Sequence, residues 1–327
     1  MGTCTACGKR SPLISGAVGA CVDYLRAGDP KSLAAAEDTR RRSRKEFGLP
    51  VEAPRDPDGI ACGLCGRGCR LGEGRRGFCG IRLNQNGALR GGDASAARVQ
   101  FYYDPLPTNC VADWVCPAGT GCGYPKYSHR EGAEYGYVNL AVFYEACSFD
   151  CLFCQNWHYR SASKSYGGIS AATLAEAAND RTACICYFGG DPAPQALHAL
   201  EASRLALENR RGHNQGILRI CWETNGSEAP AVLDEMLALS LESGGCVKFD
   251  LKACNENLHQ ALCGPSNRRT LENFRRAARR STASFPPPFS PQATEGGNTR
   301  RVNDFCSGKS SAGSTMTRHV APARTPF

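Results

Sequence analysis

From Tyr135 onward, apolar strand-like runs alternate with helix-like runs, and this alternation constrains the fold of the chain more than any other feature. The strand-like runs are YGYVNLAVFY, CICYF, GILRICW and CVKFDL; between them lie SAATLAEAAND, APQALHALEASRLALENR and APAVLDEMLALSLES, and RRTLENFRRAARR follows. Strands separated by helices pair in parallel, because each crossover must return the chain to the same end of the sheet. The spacing predicts an α/β protein, with helix starts at Ser170 and Pro230 and with Leu233, Met236, Leu237 and Ser240 on one helix face. In such sheets the loops after the strands share one rim, where functional residues collect.

Four motifs fall at those strand ends. Cys147-Ser-Phe-Asp-Cys151-Leu-Phe-Cys154 follows the first strand directly. Three neighbouring thiolates suit an iron-sulfur cluster, whose cubane form normally takes four cysteines, so one iron would stay open. An open coordination position is what a catalytic metal centre needs. Gly189-Gly190-Asp191-Pro192 follows the second strand; backbone without side chains approaches a ligand closely, its carbonyls accept from an ammonium group, and Asp191 adds charge. Trp222-Glu223-Thr224-Asn225-Gly226 ends the third strand and Asp250-Leu-Lys252 the fourth. The shared rim brings Glu223, Asn225, Asp250 and Lys252 towards the triplet, with Lys252 suited to a carboxylate and Glu223 or Asn225 to hydroxyls.

The triplet and the motifs downstream resemble the radical S-adenosylmethionine superfamily over about residues 135–280. With GYVNLAVFYEACSFDCLFCQNWHYR, YFGGDPAPQ, WETNG, KFDLKA and the N-terminal ACGLCGRGCRLGEGRRGFCGIRLN, most of residues 1–280 is similar to the pyruvate formate-lyase activating enzyme-like group. The resemblance implies a partial (β/α) barrel. It implies a [4Fe-4S] cluster on Cys147, Cys151 and Cys154, whose open iron is chelated by S-adenosylmethionine. One-electron reduction then cleaves S-adenosylmethionine to methionine and a 5'-deoxyadenosyl radical that abstracts hydrogen from substrate. Phe153 takes the position that contacts adenine, and Gly189, Gly190 and Asp191 the position that holds the methionine amino group. A reduced flavodoxin- or ferredoxin-type electron donor is implied as partner, while the substrate, protein or small molecule, is left open. The competing reading is a non-catalytic electron-transfer or interaction protein whose cysteines merely hold loops, or an inactive truncated radical SAM protein; the first of these leaves GGDP, WETNG and DLK unexplained.

The chain has 20 cysteines in 327 residues. Its N-terminus, MGTCTACGKRSPLISG, lacks a charged segment leading into an apolar one, and no run of 18 apolar residues occurs, so a cytoplasmic, metal-binding setting is expected rather than disulfides or a membrane span. Cys62-x2-Cys65-x3-Cys69-x9-Cys79 offers four thiolates to a closed auxiliary site, zinc or iron-sulfur. Cys4-x2-Cys7-x13-Cys21 resembles part of a zinc ribbon, but Tyr24 stands where the fourth cysteine would; metal retention with Asp23 as substitute and metal loss both stay open. Cys110, Cys116 and Cys122 receive no role, Cys184, Cys186, Cys221 and Cys246 read as small buried hydrophobes, and His158 beside Trp157 reads as structural.

Five segments follow: a degenerate ribbon-like segment (1–28), a charged helical linker (29–55) whose RRRSRK run is expected to be a solvated face, a Cys/Gly-rich metal-binding region of turns and hairpins (56–134), an incomplete radical SAM barrel (135–280) and a disordered tail (281–327). Family barrels continue for at least two more strands, so the barrel is expected to be truncated and the tail to stem from a frame shift or misjoined exon. The net charge of +8 lies in that end: from Arg268 onward there are 11 Lys plus Arg and three Asp plus Glu, leaving 28 of each before it. A neutral body argues against nucleic acid as partner.

Overall fold

A computed structural model describes residues 1–108, 110, 112–162, 168–212, 216–284, 292–295 and 298–300. The N-terminal third is built from small pieces. Hairpin β1 (Gly2–Thr3) and β2 (Arg10–Ser11) leads into α1 (Val22–Ala27) and α2 (Pro30–Glu46), then hairpins β3 (Ile60–Ala61) with β4 (Arg70–Leu71) and β5 (Leu83–Gln85) with β6 (Ala88–Arg90). β7 (Val99–Pro105) and α3 (Pro117–Thr120) precede the alternating part: β8 (Val138–Tyr144), α4 (Tyr159–Ala162), α5 (Ala171–Glu176), β9 (Thr182–Phe188), α6 (Ala196–Gly212), β10 (Arg219–Thr224), α7 (Pro230–Ser243), β11 (Val247–Asp250), α8 (Glu256–Cys263) and α9 (Arg268–Ser284). β12 (Gln292–Glu295) and β13 (Asn298–Arg300) come last among the described residues.

The sheet order is β13-β12-β11-β10-β9-β8-β7. β8 to β12 pair in parallel, giving five parallel strands, while β7 and β13 run antiparallel at the two edges. Alternation along each strand sorts the two faces. Leu140, Val142, Tyr144, Ile185, Tyr187, Ile220 and Trp222 face a core shared with Leu174 of α5, Leu200 of α6 and Met236 of α7. Local sequence supports these helices: Ser170 caps α5 by accepting from Thr173 N, and Pro230 opens α7, which ends at Gly244 with φ +77°. The opposite face carries Asn139, Phe143, Cys184, Cys186, Cys221 and Lys248, and it lines a cavity.

Three expectations are revised. Residues 56–134 are not hairpins alone, because β7 pairs along its whole length with β8, from Val99 opposite Tyr144 to Pro105 opposite Val138. The RRRSRK run is not a solvated face: Arg40 and Arg44 are buried, with Arg44 donating to Pro50 O and Phe78 O and lying 3.6 Å over the Phe78 ring. Finally, the strand-helix pattern does not stop at Arg280. α9 runs on to Ser284, and β12 joins β11 in parallel with Phe249 opposite Ala293, so β11 is not left as a bare edge. The rest of the tail expected to be disordered lies outside the described residues. No helix among the described residues is long and apolar enough to cross a membrane.

Candidate functional site

The rim at the C-terminal ends of β8 to β11 carries the site. After β8 the chain turns through Cys147, Cys151 and Cys154, the first two buried and the third half-buried. This loop is fixed from three sides. Asp191 N donates to Ala146 O at 2.8 Å, Leu152 N to Leu262 O at 2.9 Å and Asp150 N to Cys263 O at 3.0 Å. Gly190, at φ +44°, presses so closely that an added Cβ would lie 2.3 Å from the carbonyl oxygens of Tyr144 and Ala146, which explains why a glycine stands there.

Asp191 and Asn225 tie the second and third strand ends to the triad. Asp191 Oδ1 accepts from Thr224 Oγ1 at 2.9 Å and Asn225 N at 3.0 Å, and Oδ2 accepts from Ala193 N at 3.1 Å. The Asn225 side-chain amide donates to Ser148 Oγ at 2.8 Å and reaches Cys147 Sγ at 3.8 Å. Burial pushes the Asp191 carboxyl up to about 6. Beneath it, Glu228 is pushed up to about 8, by burial first and by Asp191 second. Thr224 Oγ1 lies against both carboxyls as a donor, and a hydroxyl has one proton to give, so the two acids compete for it. Of the two, Glu228 is the weaker acid, and burial favours its neutral form. Sequence reasoning missed Glu228, Thr224 and Ser148.

The three thiols resist ionisation as isolated groups. Burial, then Asp191, pushes Cys147 well up; contact with Cys263, then burial, does so for Cys151; burial raises Cys154. A bound cation reverses that cost, since metal coordination deprotonates a thiol outright. Lys252 supplies one nearby positive charge: burial works against it, but Asp250 and Cys151 hold its pKa above the ordinary value. Lys252 is paired with Asp250, and its Nζ lies 5.8 Å from the centre of the half-exposed Phe153 ring.

Glu223 separates from Asn225. It reaches into the cavity on the Cys184 side of the sheet, with Oε1 3.2 Å from the buried Lys248 Nζ, which also donates to Cys110 Sγ at 2.8 Å and Cys186 Sγ at 3.4 Å. These groups line a cavity of about 330 Å³ that reaches Gln155 and Asn156, the residues directly after Cys154. Cys184, Cys186 and Cys221 are buried as read from sequence, yet they wall this cavity, and Cys221 also contacts the Cys246 thiol. Their spacing by two in CICYF was the available signal, because it puts positions 184, 186 and 188 on one face.

The Cys/Gly-rich region abuts the triad loop. Cys62, Cys65, Cys69 and Cys79 surround a pocket of about 10 Å³ that Ser148 also lines. Arg67, between the second and third of these cysteines, donates from Nε to Ser148 O at 2.6 Å, and Gly66 N donates to Ser227 O at 2.6 Å. Cys4, Cys7 and Cys21 lie apart from this rim; theirs is the one group of three such ligands within 4.8 Å of one another among the described residues. His158 stacks on Trp157 with ring centres 4.1 Å apart.

A parallel α/β sheet with a three-cysteine loop after its first parallel strand and a glycine turn after the next defines a class. Residues 141–285 match the model of the radical SAM superfamily. It is similar to the pyruvate formate-lyase 1-activating enzyme of Escherichia coli, 30% identical over 140 residues that make up 41% of this chain and 54% of that enzyme. The enzyme of the same name from Shigella flexneri aligns equally, and an uncharacterized protein of Methanocaldococcus jannaschii is 26% identical over 215 residues, 63% of this chain and 56% of its own. The chain thus spans little more than half the length of the curated relatives it matches.

Proposed function

We propose that this protein is a radical SAM iron-sulfur enzyme, with Cys147, Cys151 and Cys154 as the protein ligands of a [4Fe-4S] cluster and S-adenosylmethionine as its cofactor. The observation that carries this reading is the bonded path from the glycine turn to the triad: Gly190 pressed on the triad strand, Asp191 on Asn225, and the Asn225 amide on Ser148 and Cys147. Three thiols in one loop leave an iron open for a chelating ligand. When bound, the reduced cluster and S-adenosylmethionine supply a 5'-deoxyadenosyl radical for hydrogen abstraction.

The chain's own residues then have separable tasks. Carbonyls of the turn at Gly189 and Gly190 accept from the methionine ammonium, and Asp191 orients that turn while its charge favours the cation. Lys252 and Phe153 form the outer wall, the lysine towards a carboxylate and the ring towards adenine. The 330 Å³ cavity beside Gln155 and Asn156 receives the substrate, protein segment or small molecule, and the Lys248–Glu223 pair offers it one charge of each sign. Cys62, Cys65, Cys69 and Cys79 hold an auxiliary metal, zinc or iron-sulfur, against Ser148. A flavodoxin- or ferredoxin-type protein delivers the electron, and the enzyme works in the cytoplasm, where thiols stay reduced.

The test is anaerobic reconstitution with iron and sulfide, followed by reduction in the presence of S-adenosylmethionine. The expected result is 5'-deoxyadenosine and methionine in equal amounts, lost in Cys151→Ala, together with a change in the electron paramagnetic resonance spectrum when S-adenosylmethionine is added. Reconstituted protein that forms no 5'-deoxyadenosine and whose spectrum ignores S-adenosylmethionine overturns the reading.

A further inference from the structure

We propose that Cys4, Cys7 and Cys21 hold a zinc ion through three thiolates, with solvent in the fourth coordination position. The site is separate from the rim, and it does not rest on the radical SAM reading.

The geometry is that of a metal knuckle. β1 and β2 close a turn in which Cys4 N donates to Lys9 O at 2.8 Å and Gly8 N to Cys4 O at 2.9 Å, with Gly8 at φ +73°. This turn carries Cys4 and Cys7 to one point. The chain returns through Thr5 N donating to Gly19 O at 2.8 Å, which delivers Cys21 to the same point. All three sulfurs lie within 4.8 Å of one another, and Cys7 Sγ is 3.9 Å from Cys21 Sγ. Tetrahedral zinc with Zn–S bonds of about 2.3 Å sets neighbouring sulfurs about 3.8 Å apart. A disulfide, at about 2.05 Å, fits neither that separation nor a set of three. Backbone N–H groups of Ala6, Cys7 and Cys21 face Cys4 Sγ, so donors already surround that sulfur.

The fourth position goes to neither candidate that the sequence offers. Tyr24 packs with Cys4, Ile14 and Cys21 as an apolar neighbour, and Asp23 is turned to Lys9 at 4.0 Å on the surface. Cys7 is exposed, so water reaches the metal from its side. The consequence for the molecule runs through α8. Asn255 and Asn257 donate to Arg26 O, Leu25 and Ala36 pack with Ala261, and the last turn of α8 accepts from the triad loop at Asp150 and Leu152. Zinc therefore fixes the far end of the element that backs Cys151.

The experiment uses the full chain, reduced, stripped of metal and titrated anaerobically with Co²⁺, comparing wild type with Cys7→Ser and with Cys62→Ser. Because Cys7 is exposed, its replacement leaves the core intact, and circular dichroism checks this. The expected result is that Cys7→Ser takes up one equivalent less of thiolate-bound Co²⁺, seen as lost sulfur-to-cobalt and tetrahedral d–d absorption, and that Zn²⁺ displaces that equivalent in the wild type. Cys62→Ser is expected to retain it. Added imidazole is expected to shift the d–d bands of the same equivalent by entering the open position. Equal Co²⁺ uptake by wild type and Cys7→Ser overturns the site; bands that ignore imidazole overturn the open fourth position.

Discussion

The buried Glu228 carboxyl, raised by burial and by Asp191, is the most testable feature at the level of single residues. Glu228, pushed up to about 8, lies above its ordinary value of 4.5, so folding favours its protonated form. The stability it contributes is complete below about pH 4.5 and is lost as pH rises towards about 8. Glu228→Gln keeps a neutral donor to Thr224 and cannot ionise. We expect wild type to lose stability relative to this variant by on the order of 3–4 kcal/mol between about pH 5 and pH 8, read from urea unfolding at both values; parallel pH dependences would refute the assignment. A glycine contrast complements it. Gly87 and Gly190 both have positive φ, but a Cβ at Gly87 meets open space whereas one at Gly190 meets two carbonyl oxygens. Gly87→Ala should cost about 1–2 kcal/mol, the left-handed backbone term alone, while Gly190→Ala should cost clearly more and lose the reconstituted cluster. The triad and the glycine turn were legible because their chemistry is written in contiguous residues. Glu228 was not, since its burial arises only when Cys65 bridges to it from a distant part of the chain.

Among the elements, α2 shows where a sequence pattern misleads. Its arginines sit between acidic residues in a strongly polar run, which favours a solvent face, yet the helix lies against α8 and the triad loop. Arg44 is 2% exposed and lies 3.8 Å from the buried Asp150, which also pairs with Arg160 at 2.8 Å, while the side chain of Arg42 is 64% exposed. Removing one partner from a buried charge cluster costs about 3–5 kcal/mol, whereas exposed pairs contribute about 0–1 kcal/mol. Arg44→Ala is therefore expected to lower the urea midpoint strongly and Arg42→Ala hardly at all; equal effects would mean that α2 does not dock as described. β7 was missed for a related reason. Its alternation is visible in VQFYYDP, but its partner β8 is antiparallel to it and follows only after α3 and a long connection, so no hairpin turn announces the pair.

Over the whole molecule, the alternating half was legible because five parallel strands and their helices follow one periodic rule, whereas the N-terminal third has no period and is shaped by what it docks on. Its contacts with the sheet half are directional as well as apolar. Gly66 N donates to Ser227 O, Ala229 N to Leu64 O and Arg67 Nε to Ser148 O. Separating the two parts would exchange each of these bonds for water, at a net cost of about 0.5–1.5 kcal/mol per bond, and would expose the apolar surface between them, while two- and three-residue hairpins have little core of their own. The N-terminal third should then have no stable state apart from the sheet. Unfolding followed by far-ultraviolet circular dichroism, which is dominated by the helices of the sheet half, and by hydrogen exchange of the β3 to β6 hairpin amides should report the same free energy. Hairpin amides that exchange with a free energy well below the global value would show that the third opens on its own while the sheet stays folded.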